Sequence, residues 1–465
     1  GYSIDSRAVK IDELFLAIRG EKNDGHDYVC QALAAGAIGA VVSREFDLAR
    51  QIDSLKSSHT VDGGRLAEFQ SNLIRVNDTL EALQALASSV IKSWSGKIIA
   101  ITGSSGKTTT KDVTAGLLSQ ALRTHKSTGN LNNAYGLPLS ILKMESEGRR
   151  ADDFDLAVLE MGMNHKGEIA ALTKIAPPHI GVVTNVNAVH LEFFSSIDDI
   201  AEAKAEMVLG VRTGGWAVLN TDDYRVARMR QKRGDIEYRT FGIEEPADVR
   251  AVKITADGLN ATRFTLVTPN GVAEARVPLI GRHNVYNVIA GVAVAELSGL
   301  KLDQVVDGIS RLSSSKMRGE LVNFQQGFAL IDDSYNSNPA ALGALVESIT
   351  QSRENGGRRI VVAGEMLELG EESARLHHES GEKIGRSGVD VLIGVRGLAR
   401  EIVTGALEGG MDSSRAIFVE TPEDAARELA SQVRKGDLVL VKGSRGVKME
   451  IVVEKMKQQF ERAAS

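Results

Sequence analysis

Residues 97–111 read KIIAITGSSGKTTTK, and this stretch decides the fold of the central part of the chain. It opens with a short apolar run, residues 97–101, which a glycine-containing turn and a helix-like segment follow at once. A buried parallel strand that leads into a crossover helix has this pattern. The stretch therefore predicts an open, parallel α/β sheet.

The turn after this strand resembles a phosphate-binding loop. Its glycines let backbone N–H groups converge on phosphate oxygens, Lys107 adds a mobile positive charge, and the Thr108 hydroxyl suits Mg²⁺. The loop departs from the usual pattern because Ile101 occupies the place of the first glycine. The alternative is a glycine-rich turn with a chance lysine, but the strand before it and the helix after it favour a phosphate site. The predicted ligands of the nucleotide phosphates are Gly103, Ser104, Ser105, Gly106, Lys107, Thr108 and Thr109.

Two further strands are predicted at residues 155–160 and 179–185, and polar side chains gather where they end. These side chains are Glu160, Asn185, Asn187 and His190. In an open parallel sheet, ligands bind at the carboxyl ends of the strands, so we expect a carboxylate and an imidazole near Mg²⁺ on ATP. Taken singly, Glu160 is more often a solvated strand end and His190 a hydrogen-bonded loop residue. Their shared sheet edge favours a functional site.

The stretch IAEAKAEMV, residues 200–208, predicts a helix with a lysine on its apolar face. Spacings of three and four residues gather Ile197, Ile200, Lys204, Met207 and Val208 on that face. The acidic residues Asp198, Asp199, Glu202 and Glu206 are predicted to face solvent. Two interpretations of Lys204 stay open. Its amine either reaches water along the helix, or is desolvated, neutral and able to add CO₂, giving a carbamate whose oxygens suit Mg²⁺.

The composition is that of an ordinary soluble globular protein, with 43% hydrophobic and 25% charged residues. A net charge of −6 argues against duplex nucleic acid or an anionic membrane as the main partner. Cys30 is the only cysteine, which excludes an internal disulfide and disfavours a cysteine-based zinc site. There is no signal-peptide pattern and no apolar run of membrane-spanning length, so we expect a cytoplasmic location.

At 465 residues the chain exceeds what one core usually organises, and three blocks of sequence predict three domains. The first, residues 1–80, is a small mixed α/β domain; the second, residues 81–314, is a central parallel-sheet, P-loop ATPase-like domain; the third, residues 315–465, is Rossmann-like. Further strands are predicted at 14–17, 39–42, 329–332, 360–363, 391–395, 417–419 and 438–441. Residues 421–424, TPED, predict a helix start with a cap, a proline at the first helical position and first-turn acids.

A set of short motifs resembles the Mur ligase family, the ATP-dependent amide ligases of peptidoglycan precursor synthesis, over essentially the whole chain. The motifs are TGSSGKTTTK (102–111), TGNLNNAYGLPL (128–139), EMGMNHKGEI (160–169), TNVNAVHLEFF (184–194), AEAKAE (201–206), GRHNVYN (281–287), KMRGE (316–320), DDSYNSNPAA (332–341), GEMLELGEES (364–373) and KGSRGVKME (442–450). The DDSYNSNP and GEMLELGE stretches favour the member that adds D-alanyl-D-alanine to UDP-N-acetylmuramoyl-tripeptide.

The resemblance implies a set of site residues. Lys107, His190 and Lys204 would be catalytic; Thr108 and Glu160 would hold Mg²⁺ on ATP, and His190 and a carbamylated Lys204 a second ion. The nucleotide would further contact Asn284, Asn287, Arg318 and Asp333. The UDP-sugar would bind the first domain at Asp5, Ser6 and Arg7, and the peptide end would meet Asn130, Asn132 and Asn133. The dipeptide would meet Lys442, Ser444 and Arg445, for which a basic surface loop is the alternative.

The resemblance also implies the reaction. ATP would phosphorylate the peptide carboxylate, and the amine would then attack the acyl phosphate. A folylpolyglutamate synthase-like ligase would use the same loop and lysine, but DDSYNSNP speaks against it. A nucleotide-binding regulatory protein would not need Glu160, His190 and Lys204. The third residue of the tripeptide, diaminopimelate or lysine, is left open; a monomer is expected, although no residue pattern bears on the oligomeric state.

Overall fold

The computed structural model describes residues 1–20, 23–48, 51, 72–129, 131–188, 192–258, 260–351 and 356–463. Within these residues the strands form three sheets, which have four, nine and six strands in chain order. The predicted α/β class with three sheet-forming parts is confirmed, whereas the domain bounds near residues 80 and 314 stay predictions. No helix in the described ranges combines the length and the apolar character needed to cross a membrane.

The first sheet is small and parallel. Its strands, in spatial order, are β1 (Tyr2–Ser3), β2 (Leu14–Leu16), β3 (Gly39–Ser43) and β4 (Leu73–Val76). Alternate residues of a strand point to opposite faces, so Phe15 packs with helix α1 (Val29–Ala34) and Leu16 packs on the side of helix α2 (Thr79–Ser93). Helix α2 shares its core with the central sheet. It therefore joins the first two sheets through one continuous apolar cluster.

The central sheet positions the site. Its strands are β5 (Lys97–Thr102), β6 (Thr124–Lys126), β7 (Leu156–Glu160), β8 (Ile180–Val183), β9 (Trp216–Asn220), β10 (Glu237–Gly242), β11 (Val249–Asp257), β12 (Ala261–Thr268) and β13 (Gly271–Val277). They run in the order β13-β12-β11-β10-β9-β8-β5-β7-β6. Strand β5 thus lies between β7 and β8, and the chain leaves it first to one side and later to the other. This is the topological switch point at which open sheets bind ligands.

Helices cover both faces of this sheet. They are α3 (Lys107–Leu118), α4 (Gly136–Leu142), α5 (Glu168–Ile175), α6 (Ile197–Gly210), α7 (Tyr224–Arg228), α8 (Arg282–Leu297) and α9 (Leu302–Ser310). In β5, Ile98 and Ala100 belong to one core cluster, whereas Ile99 and Ile101 belong to the other. Burial on both faces explains why this strand is a continuous apolar run in the sequence.

One edge of the central sheet differs from the predicted parallel arrangement. Strand β12 pairs antiparallel with both β11 and β13, and its register with β13 runs from Thr262 opposite Val277 to Thr268 opposite Gly271. The hairpin between β12 and β13 turns through residues 268–271, TPNG. Proline, asparagine and glycine between two strand-like runs are a hairpin signal, and the prediction of a parallel central sheet did not include this hairpin.

The third sheet has the order β14-β15-β19-β16-β17-β18. Its strands are β14 (Glu320–Asn323), β15 (Ala329–Asp333), β16 (Arg359–Gly364), β17 (Val391–Val395), β18 (Ala416–Val419) and β19 (Leu438–Lys442), and its helices are α10 (Pro339–Gln351), α11 (Ser373–Arg386), α12 (Ala399–Glu408), α13 (Pro422–Gln432) and α14 (Glu450–Gln459). Within the described part of this third sheet, only β14 runs antiparallel to its neighbour. The helix start predicted at residues 421–424 is confirmed, since the Thr421 hydroxyl oxygen accepts from the Asp424 N–H at 3.1 Å.

Candidate active site

The phosphate loop follows β5 and opens helix α3. Gly103 and Gly106 have φ angles of 149° and 80°, which L side chains rarely adopt. A Cβ at Gly103 would lie 1.9 Å from the Thr184 hydroxyl oxygen, and one at Gly106 would lie 2.4 Å from Oδ1 of Asn287. Both glycines are therefore required by backbone conformation and by close approach.

The segment after β8 braces this loop. The Ser105 N–H donates to Oδ1 of Asn185 at 2.8 Å, and the Ser104 N–H donates to the Asn185 carbonyl at 2.9 Å. The Thr184 hydroxyl donates to the Ser105 carbonyl at 2.7 Å. Two predicted phosphate donors are thus engaged with protein, whereas the first turn of α3 leaves its N–H groups without intrahelical partners. These N–H groups are the ones that can meet a phosphate.

Lys107 lies at the start of α3, and its side chain folds back over the loop. Its ammonium donates to the carbonyl oxygens of Gly103 at 2.8 Å and of Ser104 at 3.4 Å. Burial lowers the pKa of Lys107, and the charge of Glu160 opposes this shift. The predicted mobile cation is therefore at the phosphate loop, held by two neutral oxygens.

Glu160 ends β7 and is 1% exposed. Its Oε2 accepts the Thr108 hydroxyl at 2.8 Å, and its Oε1 accepts Nδ2 of Asn132 at 2.7 Å. Glu160 and Thr108, which the sequence assigns to Mg²⁺, are thus in direct contact. Asn132 holds the Glu160 carboxylate, and its predicted contact with the peptide stays a prediction.

This donor set fits a divalent cation. A hydroxyl oxygen and a buried carboxylate are hard oxygen ligands of the kind that Mg²⁺ prefers, and the neighbouring N–H groups and Lys107 suit the phosphates that Mg²⁺ accompanies. His190, which was predicted to hold a second ion, lies outside the described residues, as does Asn130. Their predicted roles therefore stay predictions.

Helix α8 brings two asparagines to the phosphate loop. The Thr110 hydroxyl donates to Oδ1 of Asn287 at 3.1 Å, and Nδ2 of Asn287 donates to Oδ1 of Asn284 at 3.2 Å. Both asparagines line the cleft beside the loop. Their predicted contact with adenine stays a prediction, and their observed contacts fix α8 against α3.

Sequence reasoning missed a carboxylate beside this helix. The Tyr286 hydroxyl donates to Oδ2 of Asp222 at 2.6 Å, which together with burial raises the pKa of Tyr286. Asp222 also accepts the N–H groups of Ile243 at 2.7 Å and Glu245 at 2.7 Å. It thereby fixes the turn after β10, and the tyrosine in GRHNVYN was the available signal.

The third sheet contributes the opposite wall of the cleft. The Arg318 guanidinium lies over the Tyr335 ring at 4.1 Å from its centroid. Asp333 and Lys442 end the paired strands β15 and β19 and form an ion pair. Nδ2 of Asn338 donates to the Ser105 hydroxyl at 3.1 Å, so this wall touches the phosphate loop directly. Tyr335 and Asn338 belong to the DDSYNSNP motif, yet neither was singled out from the sequence.

The cleft between these walls has a volume of about 520 Å³. It gathers most of the residues predicted for the nucleotide and the first metal ion: Ser104, Ser105, Gly106, Lys107, Thr108, Thr109, Glu160, Asn284, Asn287, Arg318 and Asp333. The structure therefore brings together groups that lie more than 200 residues apart in the sequence.

Lys204 lies on α6 and is 2% exposed. Its amine has no hydrogen-bond or ion-pair partner in the described part of the chain. Burial holds its pKa well below the usual lysine value, and the charge of Lys107 lowers it further. The apolar face of the predicted helix is confirmed and the Lys204 side chain is buried in it, whereas both interpretations of its amine stay predictions.

Glu206 on the same helix corrects another prediction. It was assigned to the solvent face, but it is 8% exposed. Its carboxylate accepts the Gly167 N–H at 2.7 Å and the Ala170 N–H at 2.9 Å. It caps the N-terminus of α5, where a negative charge is favourable.

The residues predicted for the other substrates are spread over the molecule. Asp5 and Arg7 pair on the surface at 2.8 Å, the Ser6 hydroxyl bonds to Gln31, and none of the three is among the described residues that line the cleft. Oδ1 of Asn133 accepts the N–H of Gly136, the first residue of α4, at 2.9 Å.

The basic loop after β19 is only partly on the surface. Lys442 and Ser444 are each 3% exposed, whereas Arg445 is exposed and pairs with Glu450 at 2.8 Å. The Ser444 hydroxyl oxygen accepts the Leu367 N–H at 2.9 Å, which ties this loop to the GEMLELGE stretch. The alternative of a basic surface loop therefore applies to Arg445 alone.

Three family models match consecutive parts of the chain. The model described as "Mur ligase family, catalytic domain" matches residues 1–90, "Mur ligase middle domain" matches residues 101–295, and "Mur ligase, glutamate ligase domain" matches residues 317–445. The three matches follow the order of the three sheets.

Full-length relatives carry one activity in their names. The chain is 32% identical to the UDP-N-acetylmuramoyl-tripeptide–D-alanyl-D-alanine ligase of Bacillus subtilis, over 98% of this chain and 92% of that protein. It is also 32% identical to the enzyme of that name from Escherichia coli, over 98% of this chain and 93% of that protein.

Solved structures agree with these relatives. MurF from Acinetobacter baumannii superimposes with a TM-score of 0.82 at 30% identity, covering 98% of this chain and 93% of that one. The MurF ligase from Thermotoga maritima in complex with ADP gives a TM-score of 0.81 at 28% identity, covering 98% of this chain and 97% of that one.

Proposed function

The chain belongs to the Mur ligase family, and from this premise we propose that it joins D-alanyl-D-alanine to UDP-N-acetylmuramoyl-tripeptide in an ATP-dependent reaction. One observation carries the proposal. A single cleft combines the phosphate loop, the Glu160 carboxylate, and Arg318 and Asp333 from the third sheet. Phosphoryl transfer to a peptide carboxylate requires this combination of anion-binding and cation-binding groups around one site.

The reaction has two steps. An oxygen of the peptide carboxylate attacks the γ-phosphorus of ATP, the bond to the β-phosphate oxygen breaks, and ADP leaves. The amine of D-alanyl-D-alanine then attacks the acyl carbon of the resulting acyl phosphate. The tetrahedral adduct collapses, inorganic phosphate leaves with the electron pair of the C–O bond, and the amine gives up a proton as the amide forms.

The residues of this chain supply charge and exclude water. The first turn of α3 offers N–H groups to the phosphates, and Lys107 exchanges two carbonyl oxygens for phosphate oxygens. Arg318 and Asp333 reach the nucleotide from the opposite wall. Because an acyl phosphate hydrolyses in water, closure of this wall over the loop protects the intermediate.

Thr108 and Glu160 would hold Mg²⁺ on the ATP phosphates. A bound divalent ion supplies Lewis-acid neutralisation of phosphate charge during the transfer. The direct contact of Thr108 with Glu160 at 2.8 Å supports this assignment. His190 would serve a second ion together with Lys204.

Lys204 would act as a carbamate. The neutral amine attacks the carbon of CO₂, forming an N–C bond, and releases one proton to water, which leaves an anion with two oxygens. Its burial and its lowered pKa support this assignment. A buried ammonium is costly, whereas a carbamate would offer oxygens that suit a divalent ion.

The contacts with the UDP-sugar, the peptide end and the dipeptide are proposed from the positions of the matching motifs in the sequence. Asp5, Ser6 and Arg7 would serve the UDP-sugar, and Asn132 and Asn133 the peptide end. Lys442, Ser444 and Arg445 would bind the dipeptide. The position of Lys442 in the lining of the cleft supports its part of this assignment. A cytoplasmic location and a monomeric state stay predictions.

Phosphate release with defined substrates tests the function. We expect release only when ATP, UDP-N-acetylmuramoyl-tripeptide and D-alanyl-D-alanine are all present, with an amide product of the corresponding mass. Tripeptides ending in diaminopimelate and in lysine should be compared, because the sequence does not choose between them. Equal phosphate release with glutamate and a folate acceptor, or release without any acceptor, would overturn the proposal.

A further inference from the structure

Lys111 is a buried cation to which the proposed reaction gives no role. It follows Lys107 by about one turn of α3 and is 1% exposed. Its amine lies 3.0 Å from the Gly129 carbonyl oxygen, 3.7 Å from Oδ1 of Asp112 and 3.9 Å from Oε2 of Glu160. Three oxygens from three segments of the chain therefore surround one buried amine.

Two of these contacts lead to the same carboxylate. Lys111 lies beside one oxygen of Glu160 and also binds the turn at Gly129, where φ is 57°. Next to it, the Leu131 N–H donates to the Thr128 carbonyl at 3.3 Å, and the following residue, Asn132, donates to the other oxygen of Glu160 at 2.7 Å. The Gly162 N–H in turn donates to the Asn132 carbonyl at 2.8 Å, which fixes the turn to the residues after β7.

The charge at Lys111 has an energetic cost. Burying an ammonium is unfavourable unless its partners offset the loss of water, and an apolar residue of the same length would pack in α3 without that cost. The partners of Lys111 are the metal-binding carboxylate and the loop expected to face the peptide. This is the pattern of a residue that orients a ligand from outside the coordination shell.

We propose that Lys111 is a positioning residue that sets the Glu160 carboxylate and the Gly129 turn as one unit. This inference rests on the proposed function, because only that function makes Glu160 a metal ligand. Lys111 holds one oxygen of Glu160 by its charge, and it holds the other through the turn and Asn132. The metal ligand is thereby oriented before the ion arrives.

The sign of the effect separates this role from simple repulsion. If Lys111 acted only as a like charge near the ion, Lys111→Met would tighten metal binding. If it orients Glu160, Lys111→Met weakens metal binding, because the carboxylate loses its counter-charge and the turn loses its anchor.

Binding of Mn²⁺ to the full chain with ADP, followed by electron paramagnetic resonance of free Mn²⁺, measures this sign. We expect Lys111→Met to raise the Kd for Mn²⁺ about 10- to 100-fold, the range for residues that orient metal ligands. Lys126→Met is the matched control. It removes a cation from the same Asp112, which Lys126 binds at 2.8 Å, without a contact to Glu160. Its Kd should stay within about twofold of the unmodified value.

A double-mutant cycle tests the indirect route. If Lys111 acts through the turn, the loss in Lys111→Met combined with Asn132→Ala should be smaller than the sum of the single losses. Additive losses would overturn the proposal of one unit. If the Met variant does not fold by circular dichroism, Lys111→Gln keeps a polar N–H donor at the site and replaces it in both experiments.

The controls separate this inference from the proposed function. If the unmodified chain with ADP binds no Mn²⁺, the metal site of the proposed function fails. If it binds Mn²⁺ and Lys111→Met binds equally tightly or more tightly, the positioning role of Lys111 alone is overturned.

Discussion

Substitutions of Lys204 distinguish a carbamate at this position from a free amine. If it carries a carbamate, Lys204→Arg should lose turnover by about 100-fold or more, because arginine stays cationic and repels Mg²⁺ instead of binding it. Activity of the unmodified chain should also fall when CO₂ and bicarbonate are removed from the buffer. Steady-state phosphate release measures both effects.

Rescue provides the matching control for Lys204. Lys204→Ala should be inactive, and small carboxylic acids should restore part of its turnover by occupying the vacated oxygen positions. Normal turnover of Lys204→Arg, or a bare amine in an ATP-bound crystal structure, would contradict the carbamate.

Lys107 gives a second prediction at this scale. Lys107→Ala should lower ATP turnover by about 100- to 1,000-fold, because the ammonium neutralises charge that develops in phosphoryl transfer. The thermal midpoint should change little, since within the described ranges its amine hydrogen-bonds to two carbonyls of its own loop, at 2.8 and 3.4 Å. Phosphate release and differential scanning calorimetry of the same preparation check both parts. Full activity of Lys107→Ala would contradict a phosphate-binding role for this loop.

The sequence predicted Lys204 better than its neighbour Glu206, for a physical reason. Helical periodicity identifies a residue on an apolar face, and Lys204 lies within that face. Glu206 is buried because the N-terminus of α5 packs against α6, and the N–H groups of the first turn of α5 need an acceptor. That need arises from the packing of two helices, which the periodicity of one helix does not contain.

Among the elements, strands buried on both faces were the easiest to predict. The run at β5 is continuous in apolar residues because two helical layers cover it, and the predicted and observed bounds differ by one residue. Strand β12 is mostly buried, but its partner β13 at the sheet edge alternates between more and less exposed residues, so its apolar signal is diluted and only the turn residues indicated the hairpin.

Strand β6 carries a prediction about acid stability. Burial lowers the pKa of His125 to about 4, and burial likewise lowers the pKa of His179 and His283 to about 4. Because these values lie below the unfolded value of about 6.5, the unfolded chain binds more protons between pH 4 and 6.5. Stability is therefore fully present above pH 6.5 and falls with acidification, by about 1.4 kcal/mol per pH unit for the buried His125 and by less for the partly exposed His179.

Urea unfolding at several pH values measures this slope. His125→Gln keeps a donor for the Ser140 carbonyl, to which Nε2 of His125 bonds at 2.8 Å, but removes the titration. Its unfolding free energy should fall less steeply between pH 6.5 and 4 than that of the unmodified chain. Parallel slopes would contradict a neutral His125 in the folded state.

At the scale of the whole molecule, the contact between the third sheet and the phosphate loop predicts a closing motion. Nδ2 of Asn338 and the Ser105 hydroxyl lie 3.1 Å apart. We expect an ATP analogue with UDP-N-acetylmuramoyl-tripeptide to lower the radius of gyration, because Arg318 and Asp333 are drawn onto the nucleotide. Small-angle scattering checks this.

The control for closure is Asn338→Ala, which removes the contact with Ser105 but leaves Arg318 and Asp333. It should expand the ligand-free chain or leave it unchanged, and compaction by ligands should persist. Scattering curves that superimpose with and without ligands would contradict the motion.

The assembly of the cleft was predictable only in part. The edge shared by the phosphate loop and Glu160 follows from the rule that ligands gather at strand ends. The pairing of Asp333 with Lys442 does not, because it depends on β19 inserting between β15 and β16, and no local pattern encodes strand order. Motif resemblance identified both residues, but it assigned them to different ligands.

The two hydrogen bonds from Lys107 to its own loop have a thermodynamic consequence for product release. To reach a phosphate, the ammonium must first give up the Gly103 and Ser104 carbonyls, so the binding of a nucleotide is an exchange of partners and not a pure gain. The same exchange runs in reverse when ADP departs, because the carbonyls receive the cation again. The two carbonyls therefore compete with the phosphate oxygens of ADP for the Lys107 ammonium. Because they are part of the protein, this competition does not depend on the concentration of any ligand. This competition lowers the affinity for ADP and favours a rapid return to the state that binds ATP.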